Sequence, residues 1–299
     1  MPHSNTSSSY IGRFAPSPSG DLHFGSLIAA LGSYLQARAN AGQWRLRIDD
    51  IDPPREVTGA ADSIQRTLEA HGLYWDGPVV YQSSHHQRYQ QALNKLQEND
   101  CLYSCECTRK RIKGIGGSYD GHCRMLGLSH IDNALRVHNP SPVTAFHDNQ
   151  LGPVKIDDRV ASEDFIVRRK DQLFAYHLAC VVDEHDMGIT EVVRGSDLLL
   201  PTVCQLSLFA MFDWTPPAYR HLPVAISPSG SKFSKQNHAR PLDNNGASAN
   251  LFAALKFLRQ PLTPDSQHAP VEELLEHAIE NWQPAAIPIT REIVVELAE

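Results

Sequence analysis

The sequence predicts an α/β protein: a doubly wound parallel sheet, interrupted by an insertion and followed by a short helical C-terminal part. Three observations predict it. Residues 10–48 read as strand, loop, helix, strand, the unit of a parallel sheet whose crossover is right-handed in nearly all cases. Regular patterning fails near Cys101 and returns at Asp164, which marks the insertion. The 299 residues are 41% hydrophobic and 20% charged, a globular balance in a chain long enough for about two domains.

Taken in order, Tyr10 to Ala15 is a short buried strand, closed by the rigid turn Pro16-Ser17-Pro18-Ser19-Gly20. From Ser26 the period changes: Leu27, Ile28, Leu31, Tyr34 and Leu35 recur at helical spacing as far as Asn40 to Gly42. Trp44, Leu46 and Ile48 alternate with Arg45 and Arg47 as a second strand, whose end carries Asp49, Asp50 and Asp52. Helices are expected over Gly59 to His71 and His86 to Gln97. Between Cys101 and Asp158, Cys, Gly, His and Pro become frequent and periodicity weakens. Asp164 to Val167 and Leu173 to Val182 restore it. Asp183-Glu184-His185-Asp186 lacks metal-ligand spacing and reads as a polar loop at a strand end. Gly188 to Arg194 is strand-like, Thr202 to Phe212 an apolar helix, Leu222 to Ile226 apolar, and Ser227 to Lys235 a polar loop; residues after about 246 read as helical. The expected units are a flexible N-terminus (1–9), a first half of the sheet domain (10–100), the insertion (101–163), a second half (164–240) and a helical tail (241–299).

The formal net charge of −7 excludes global basicity as a reason to invoke nucleic acid, but not a local basic face. Two such runs exist, Arg109-Lys110-Arg111 with Lys113, and Arg168-Arg169-Lys170; either can contact RNA phosphates, although most such runs are solvated faces. No apolar run reaches the roughly 20 residues of a membrane span. Met1 to Ser9 is polar, without a signal-like segment, so a cytoplasmic protein without membrane contact is expected. Four of the six cysteines, Cys101, Cys105, Cys107 and Cys123, fall in one stretch. Without a secretory signal, a metal or buried thiols fit better than disulfides. Cys105-x-Cys107 with Cys123 offers three thiolates to a zinc ion, with a fourth ligand to find; Cys101 and His122 are the generic candidates.

Chemistry concentrates in two distant segments. Arg13 to Ser26 joins a strand to a helix. Gly25 allows close backbone approach to a ligand, and the helix N-terminus offers N–H groups to phosphate. His23 can donate to a phosphate oxygen. Ser231-Lys232-Phe233-Ser234-Lys235 puts two lysines on a loop, suited to charge on a pentavalent α-phosphate and a departing pyrophosphate. Singly, each of these residues reads as an ordinary surface group; in this order they are specific.

The pair resembles the HIGH and KMSKS signatures of class I aminoacyl-tRNA synthetases. Gly12 to Gly20 resembles the glutamate-specific branch, as does Arg47-Ile48-Asp49-Asp50-Ile51-Asp52. Asp52-Pro53-Pro54-Arg55, Tyr119-Asp120-Gly121-His122-Cys123 and Ser234-Lys235-Gln236-Asn237-His238 are similar to a shortened branch that attaches glutamate to queuosine in the anticodon of tRNA(Asp). The resemblance covers residues 10 to 240 and implies a Rossmann-type nucleotide-binding domain with a zinc-containing insertion. It implies His23, Lys232 and Lys235 as catalytic residues, and His23, Gly25, Ser26 and Lys235 as ATP contacts. Glutamate would meet Arg13, Ala15, Ser17, Asp49, Tyr176 and Arg194: Asp49 pairs with the ammonium, Tyr176 supplies a hydroxyl, and each arginine can fork onto a carboxylate where geometry permits. One structural zinc would sit on Cys105, Cys107, Tyr119 and Cys123. Substrates and partners would be glutamate, ATP with Mg²⁺ and queuosine-bearing tRNA(Asp), with a monomeric enzyme. Two positions depart from the usual pattern: Ser26 replaces a second His, and Asp49 replaces Glu, retracting the carboxylate by one methylene. The competing readings are a conventional glutamyl-tRNA synthetase acting at a tRNA 3′ end, and a non-catalytic zinc-containing RNA-binding module on the same fold. Residues 241–299 are too few for a typical domain of roughly 100–150 residues, which leaves no room for a large anticodon-reading region.

Overall fold

The opening unit forms as the pattern requires: β1 (Ile11–Phe14), α1 (Phe24–Ala39) and β2 (Gln43–Ile48), in a computed structural model that describes residues 10–228 and 240–295. β1 and β2 pair in parallel, Ile11 opposite Gln43 and Phe14 opposite Leu46. Leu27, Leu31 and Leu35 of α1 are fully buried, and Trp44 beneath the helix donates its Nε1–H to Ser33 Oγ at 2.9 Å. α2 (Ala60–Ala70), β3 (Val80–Tyr81) and α3 (His86–Glu98) follow, with β3 parallel to β2.

The next stretch holds β4 (Leu102–Cys105), α4 (Arg109–Gly114), β5 (Ala134–Val137), β6 (Ala145–Asp148), β7 (Gly152–Lys155), α5 (Asp158–Ala161) and β8 (Ile166–Arg168). The chain then runs through α6 (Tyr176–Asp186), β9 (Glu191–Gly195), α7 (Leu199–Phe212), β10 (Ala218–Leu222), β11 (Val224–Ile226), α8 (Ala247–Phe257), α9 (Val271–Glu280) and β12 (Glu292–Val294).

The main sheet is laid out as β3-β2-β1 beside β9-β10-β6-β7. β1 and β9 start side by side: the Thr190 N–H donates to the Ile11 carbonyl at 2.9 Å, and the Ile11 N–H to Thr190 Oγ1 at 2.9 Å. The strand order turns back there, where ligands of open α/β sheets bind beyond the strand carboxyl ends. α1, α8 and α9 enclose one core with β1 and β2, and α3, α6 and α7 a second with β5 and β8.

Strand pairing does not follow the expected insertion limits of 101–163. β6 pairs in parallel with β10 and carries β7 antiparallel at the edge, so 145–155 joins the main sheet. Conversely β8, expected in the second half, pairs antiparallel with β5, which pairs with β4. The expected single parallel sheet is therefore mixed: the described residues form four sheets, two of them with antiparallel pairs. Asp183 to Asp186 is the last turn of α6 rather than a loop, and Asp183 and Glu184 are buried. The apolar run Leu222–Ile226 divides at Pro223, which has no N–H for a ladder. β11 pairs instead with β12, Val224 opposite Glu292 and Ile226 opposite Val294.

Candidate active site

Two cavities open at the carboxyl ends of these strands, one of about 220 Å³ and one of about 450 Å³, and they share Asp49 and Tyr176. The narrower collects Arg13, Ala15, His23, Gly25, Ser26 and Arg194. The wider takes Ser17 from the same turn, with Arg55, Arg136, Arg169 and Phe174 around it. Of the residues the sequence nominates for ATP and glutamate, all but Ser17 and the two lysines thus line one cavity. Lys232 and Lys235 lie outside the described residues. Both flanks of their segment border the narrow cavity: Val224 and Ala225 of β11 line it, and Pro241 bridges to His23.

His23 is the N-cap of α1. Its Nδ1 accepts from the Ser26 N–H at 3.3 Å, while Ser26 Oγ accepts from the His23 N–H at 3.5 Å, a reciprocal capping box. The cap therefore places the ring proton on Nε2, the nitrogen able to donate to an oxyanion. Ser26, the first departure from the usual pattern, has a structural use: its hydroxyl closes the cap.

Three buried arginines converge on the cavity, and each is held by protein groups. Arg13 donates from Nε and Nη2 to Glu184 Oε1, at 3.2 and 2.9 Å, and from Nη1 to the Val193 carbonyl at 3.3 Å. The expected carboxylate fork of Arg13 is thus already engaged by a glutamate of the protein. Arg47, fully buried, donates from Nε to Asp49 Oδ1 at 2.7 Å and from Nη2 to Oδ2 at 3.3 Å, leaving Nη1 buried without a partner. Sequence reasoning missed Arg47 as a site residue, because alternation with Trp44, Leu46 and Ile48 reads as a solvent face; α6 covers that face instead. Tyr176, Cys180 and Glu184 recur every fourth residue along α6 and so share its inner face. Arg194 is held by Thr202, Gln205 and His221.

Asp49 is paired with Arg47 and lines both cavities. Burial pushes its carboxyl above the usual range, opposed by the charge and hydrogen bond of Arg47. Cys180 Sγ also approaches Oδ2, at 3.9 Å. Asp50, the other strand-end carboxylate, turns away: it accepts from the Ser83 N–H at 2.8 Å and the Ser83 hydroxyl at 2.6 Å. Burial also raises the Tyr176 phenol, keeping it protonated.

Around the wider cavity the pairs are half-buried or exposed. Asp52 accepts from Arg55 and, at 2.8 Å, from Arg169 Nη1, while Arg169 Nη2 donates to Asp171 at 2.6 Å. Of the first basic run, Arg111 is paired with Asp120, at 3.0 and 2.7 Å.

Cys105, Cys107 and Cys123 bring their sulfurs within 4.8 Å of one another. A tetrahedral zinc with bonds of about 2.3 Å needs sulfurs about 3.8 Å apart, so the set fits the ion. Tyr119 joins it: its phenol oxygen accepts from the Cys123 N–H at 2.8 Å. Cys101 and His122 are not part of the group; Cys101 Sγ donates to the Asn99 carbonyl. The Arg136 guanidinium lies over the Tyr119 ring, 3.8 Å from its centroid, and links the cluster to the wide cavity that Arg136 also lines.

A helix N-terminus at the cavity, converging arginines and a strand-end carboxylate are parts an amino-acid-activating ligase needs, and sequence comparison agrees. Residues 11–259 match the family described as tRNA synthetases class I (E and Q), catalytic domain, and the chain belongs to that family. Within it, the similarity is to proteins named Glutamyl-Q tRNA(Asp) synthetase. The one from Klebsiella pneumoniae (strain 342) is 56% identical over 282 residues, 94% of this chain and 96% of that protein. The one from Escherichia coli (strain K12) is 54% identical over 283 residues, 95% and 92% of the two chains. The crystal structure of a glutamate-tRNA synthetase from Elizabethkingia anophelis shares the fold, with a TM-score of 0.78 at 23% identity, over 94% of this chain and 67% of that one. Among the described residues no helix is long and apolar enough to cross a membrane.

Proposed function

We propose that the protein activates glutamate with ATP to glutamyl-adenylate and transfers the glutamyl group to queuosine in the anticodon of tRNA(Asp). The observation that carries this reading is the pair of cavities meeting at Asp49 and Tyr176. Activation and transfer share one atom, the activated carbonyl carbon, so their sites must adjoin. The narrow cavity suits glutamate and the nucleotide; the wide one, with Arg55, Arg169 and the ring of Phe174 at its walls, suits a nucleoside splayed from an RNA loop. The names carried by relatives over nearly their whole length support the same substrate pair.

In this reading a glutamate carboxylate oxygen attacks the α-phosphate of ATP and pyrophosphate leaves. The contribution of the protein is position and charge. His23 donates from Nε2, the first-turn N–H groups of α1 face phosphate, and Lys232 and Lys235 offset the charge on the departing group. Asp49 receives the substrate ammonium; Arg194 and Tyr176 set its carboxylates, Arg13, whose fork Glu184 holds, adds positive charge beside them, and Ala15 and Ser17 lie along the turn. Gly25 and Ser26 line the nucleotide side. A hydroxyl of the acceptor then attacks the carbonyl and AMP leaves. Mg²⁺ accompanies the ATP. Zinc on Cys105, Cys107, Cys123 and Tyr119 would tie β4 to the following loop and, with a full shell, supply structure rather than chemistry.

The deciding experiment incubates enzyme, glutamate and ATP with tRNA(Asp), with and without queuosine, and with tRNA(Glu), alongside periodate-treated controls. Glutamate should enter only queuosine-bearing tRNA(Asp), and periodate cleavage of the acceptor diol should abolish it. Charging of tRNA(Glu) at its 3′ end would establish the conventional synthetase instead. An absence of glutamate-dependent ATP–pyrophosphate exchange would leave the RNA-binding module.

A further inference from the structure

Arg194 has five N–H groups, and the protein uses most of them. Nη2 donates to Thr202 Oγ1 at 2.8 Å, Gln205 Oε1 at 2.8 Å and the Leu198 carbonyl at 3.3 Å. Nε donates to His221 Nε2 at 3.2 Å. Only Nη1 remains, 3.5 Å from the Tyr176 hydroxyl, on the side of the narrow cavity. Arg194 therefore cannot fork onto a substrate through Nε and Nη2; it offers the single edge at Nη1.

What fixes that edge is His221, which is fully buried on β10. Its Nδ1 lies 2.6 Å from Asp148 Oδ2. Asp148, also fully buried, accepts further from the N–H groups of Gln150 and Leu151, both at 2.9 Å. With that many donors it stays ionised: burial alone would raise its carboxyl, and the His221 hydrogen bond carries it below the usual range. An ionised Asp148 holds the His221 proton on Nδ1 and leaves the Nε2 lone pair toward Arg194. Desolvation and the neighbouring guanidinium keep the imidazole neutral. β6, which carries Asp148, and β10, which carries His221, are neighbours in the sheet, so the relay is built on rigid strands.

We infer that His221, oriented by Asp148, is a positioning residue that turns the Nη1 edge of Arg194 toward a carboxylate of the substrate. This rests on the proposed glutamate activation. The carboxylate is reached through a chain of three side chains, Asp148–His221–Arg194, of which only the last touches it. Replacing Asp148 by Asn should act from a distance, because an amide donating to Nδ1 moves the imidazole proton to Nε2, where it confronts the Arg194 N–H.

Pyrophosphate exchange on the full-length chain tests the relay, with separate titrations of glutamate and ATP. A Gln at 221 can reach Arg194 with its oxygen where Nε2 stood; an Asn reaches only the Asp148 end. H221N and D148N should raise the KM for glutamate by about 10- to 100-fold. The KM for ATP should stay within about twofold, and H221Q should recover most of the loss. Thermal melts of the two 221 variants, both small polar replacements, check that each is folded. A KM for glutamate in H221N within twofold of the parent overturns the inference, as does an equal rise for ATP and glutamate or identical behaviour of H221N and H221Q. If the parent itself shows no glutamate-dependent exchange, the functional reading fails first, and glutamate protection against thermal unfolding, present in the parent and H221Q but absent in H221N, still reads the relay.

Discussion

The two cavities are walled by the same kinds of side chain, arginines and carboxylates, yet they hold them differently. In the narrow one Arg13, Arg47 and Arg194 are nearly or fully buried, and their donors are tied to Glu184, Asp49, Gln205 and His221. In the wide one Arg136 is buried too, but Arg55 and Arg169 reach Asp52 with side chains 68% and 35% exposed. Buried pairs of the first kind contribute little net stability, because desolvation offsets the attraction, but they fix geometry. Exposed pairs of the second kind are worth about 0–1 kcal/mol and exchange partners easily. The contrast suits a small polar substrate, recognised by preset donors, on one side, and on the other a polymer that must displace Asp52 to reach the arginines with its phosphates.

The sharpest way to break this comparison is to remove the charge proposed to act in activation alone. Lys235→Ala should lower the rate of pyrophosphate exchange by about 10²–10³-fold while glutamate still protects against thermal unfolding. Exchange within a few-fold of the parent would show that the lysine acts elsewhere. Next in size, Asp49→Asn keeps the shape and removes the charge proposed to meet the ammonium. The KM for glutamate should rise by about 10- to 100-fold, with ATP little affected, whereas Asp49→Glu should be tolerated. An unchanged KM would move the amine contact to another group.

Two further changes address the wide side. Cys105→Ser and Cys123→Ser should each lower the zinc content from about one per chain, measured by plasma emission after chelator-free purification. Because Arg136 stacks on Tyr119 and lines the wide cavity, transfer to tRNA should weaken more than pyrophosphate exchange. A parent protein that holds no zinc would refute the site. The smallest effect is expected from Arg169→Ala: roughly a two- to fivefold loss in transfer, steeper at low salt, with exchange unaltered. A change in exchange of the same size would mean that the two cavities do not work separately.

The β1–α1–β2 unit and the residues at its strand ends were legible, because local periodicity and a Pro-Ser-Gly turn set them. The sheet layout beyond it was not. β6 and β7 are short and lie in a stretch whose periodicity fails, and only pairing with β10, far along the chain, makes them strands. Asp183 and Glu184 read as a polar loop because their partners are far away in sequence: Gln82, His85 and Tyr89 hydrogen-bond to Asp183, with Arg47 at 3.8 Å, and Arg13 pairs with Glu184 at 2.9 Å. Arg47 and His221 were overlooked for the same reason. Neither carries a local signal beyond a polar residue in an apolar strand, and that signal, a charged or titratable side chain where the sheet interior demands an apolar one, is what could have found them.

The pairing of β11 with β12 also ties the order of synthesis to the completion of one wall of the narrow cavity. Val224 and Ala225 line the narrow cavity, and the main-chain ladder on them is supplied by residues 291–295: the Val224 N–H donates to the Arg291 carbonyl and the Val295 N–H to the Ile226 carbonyl, each at 2.9 Å. Ser196 Oγ donates to the same Arg291 carbonyl. A chain leaving the ribosome N-terminus first exposes β11 with its edge open while α8 and α9 are still being made. That open edge is a template for any extended segment, including β11 of another nascent chain. That wall of the narrow cavity therefore closes only when Glu292–Val294 is available to pair, so a stall before that point leaves both an aggregation-prone edge and an unfinished cavity.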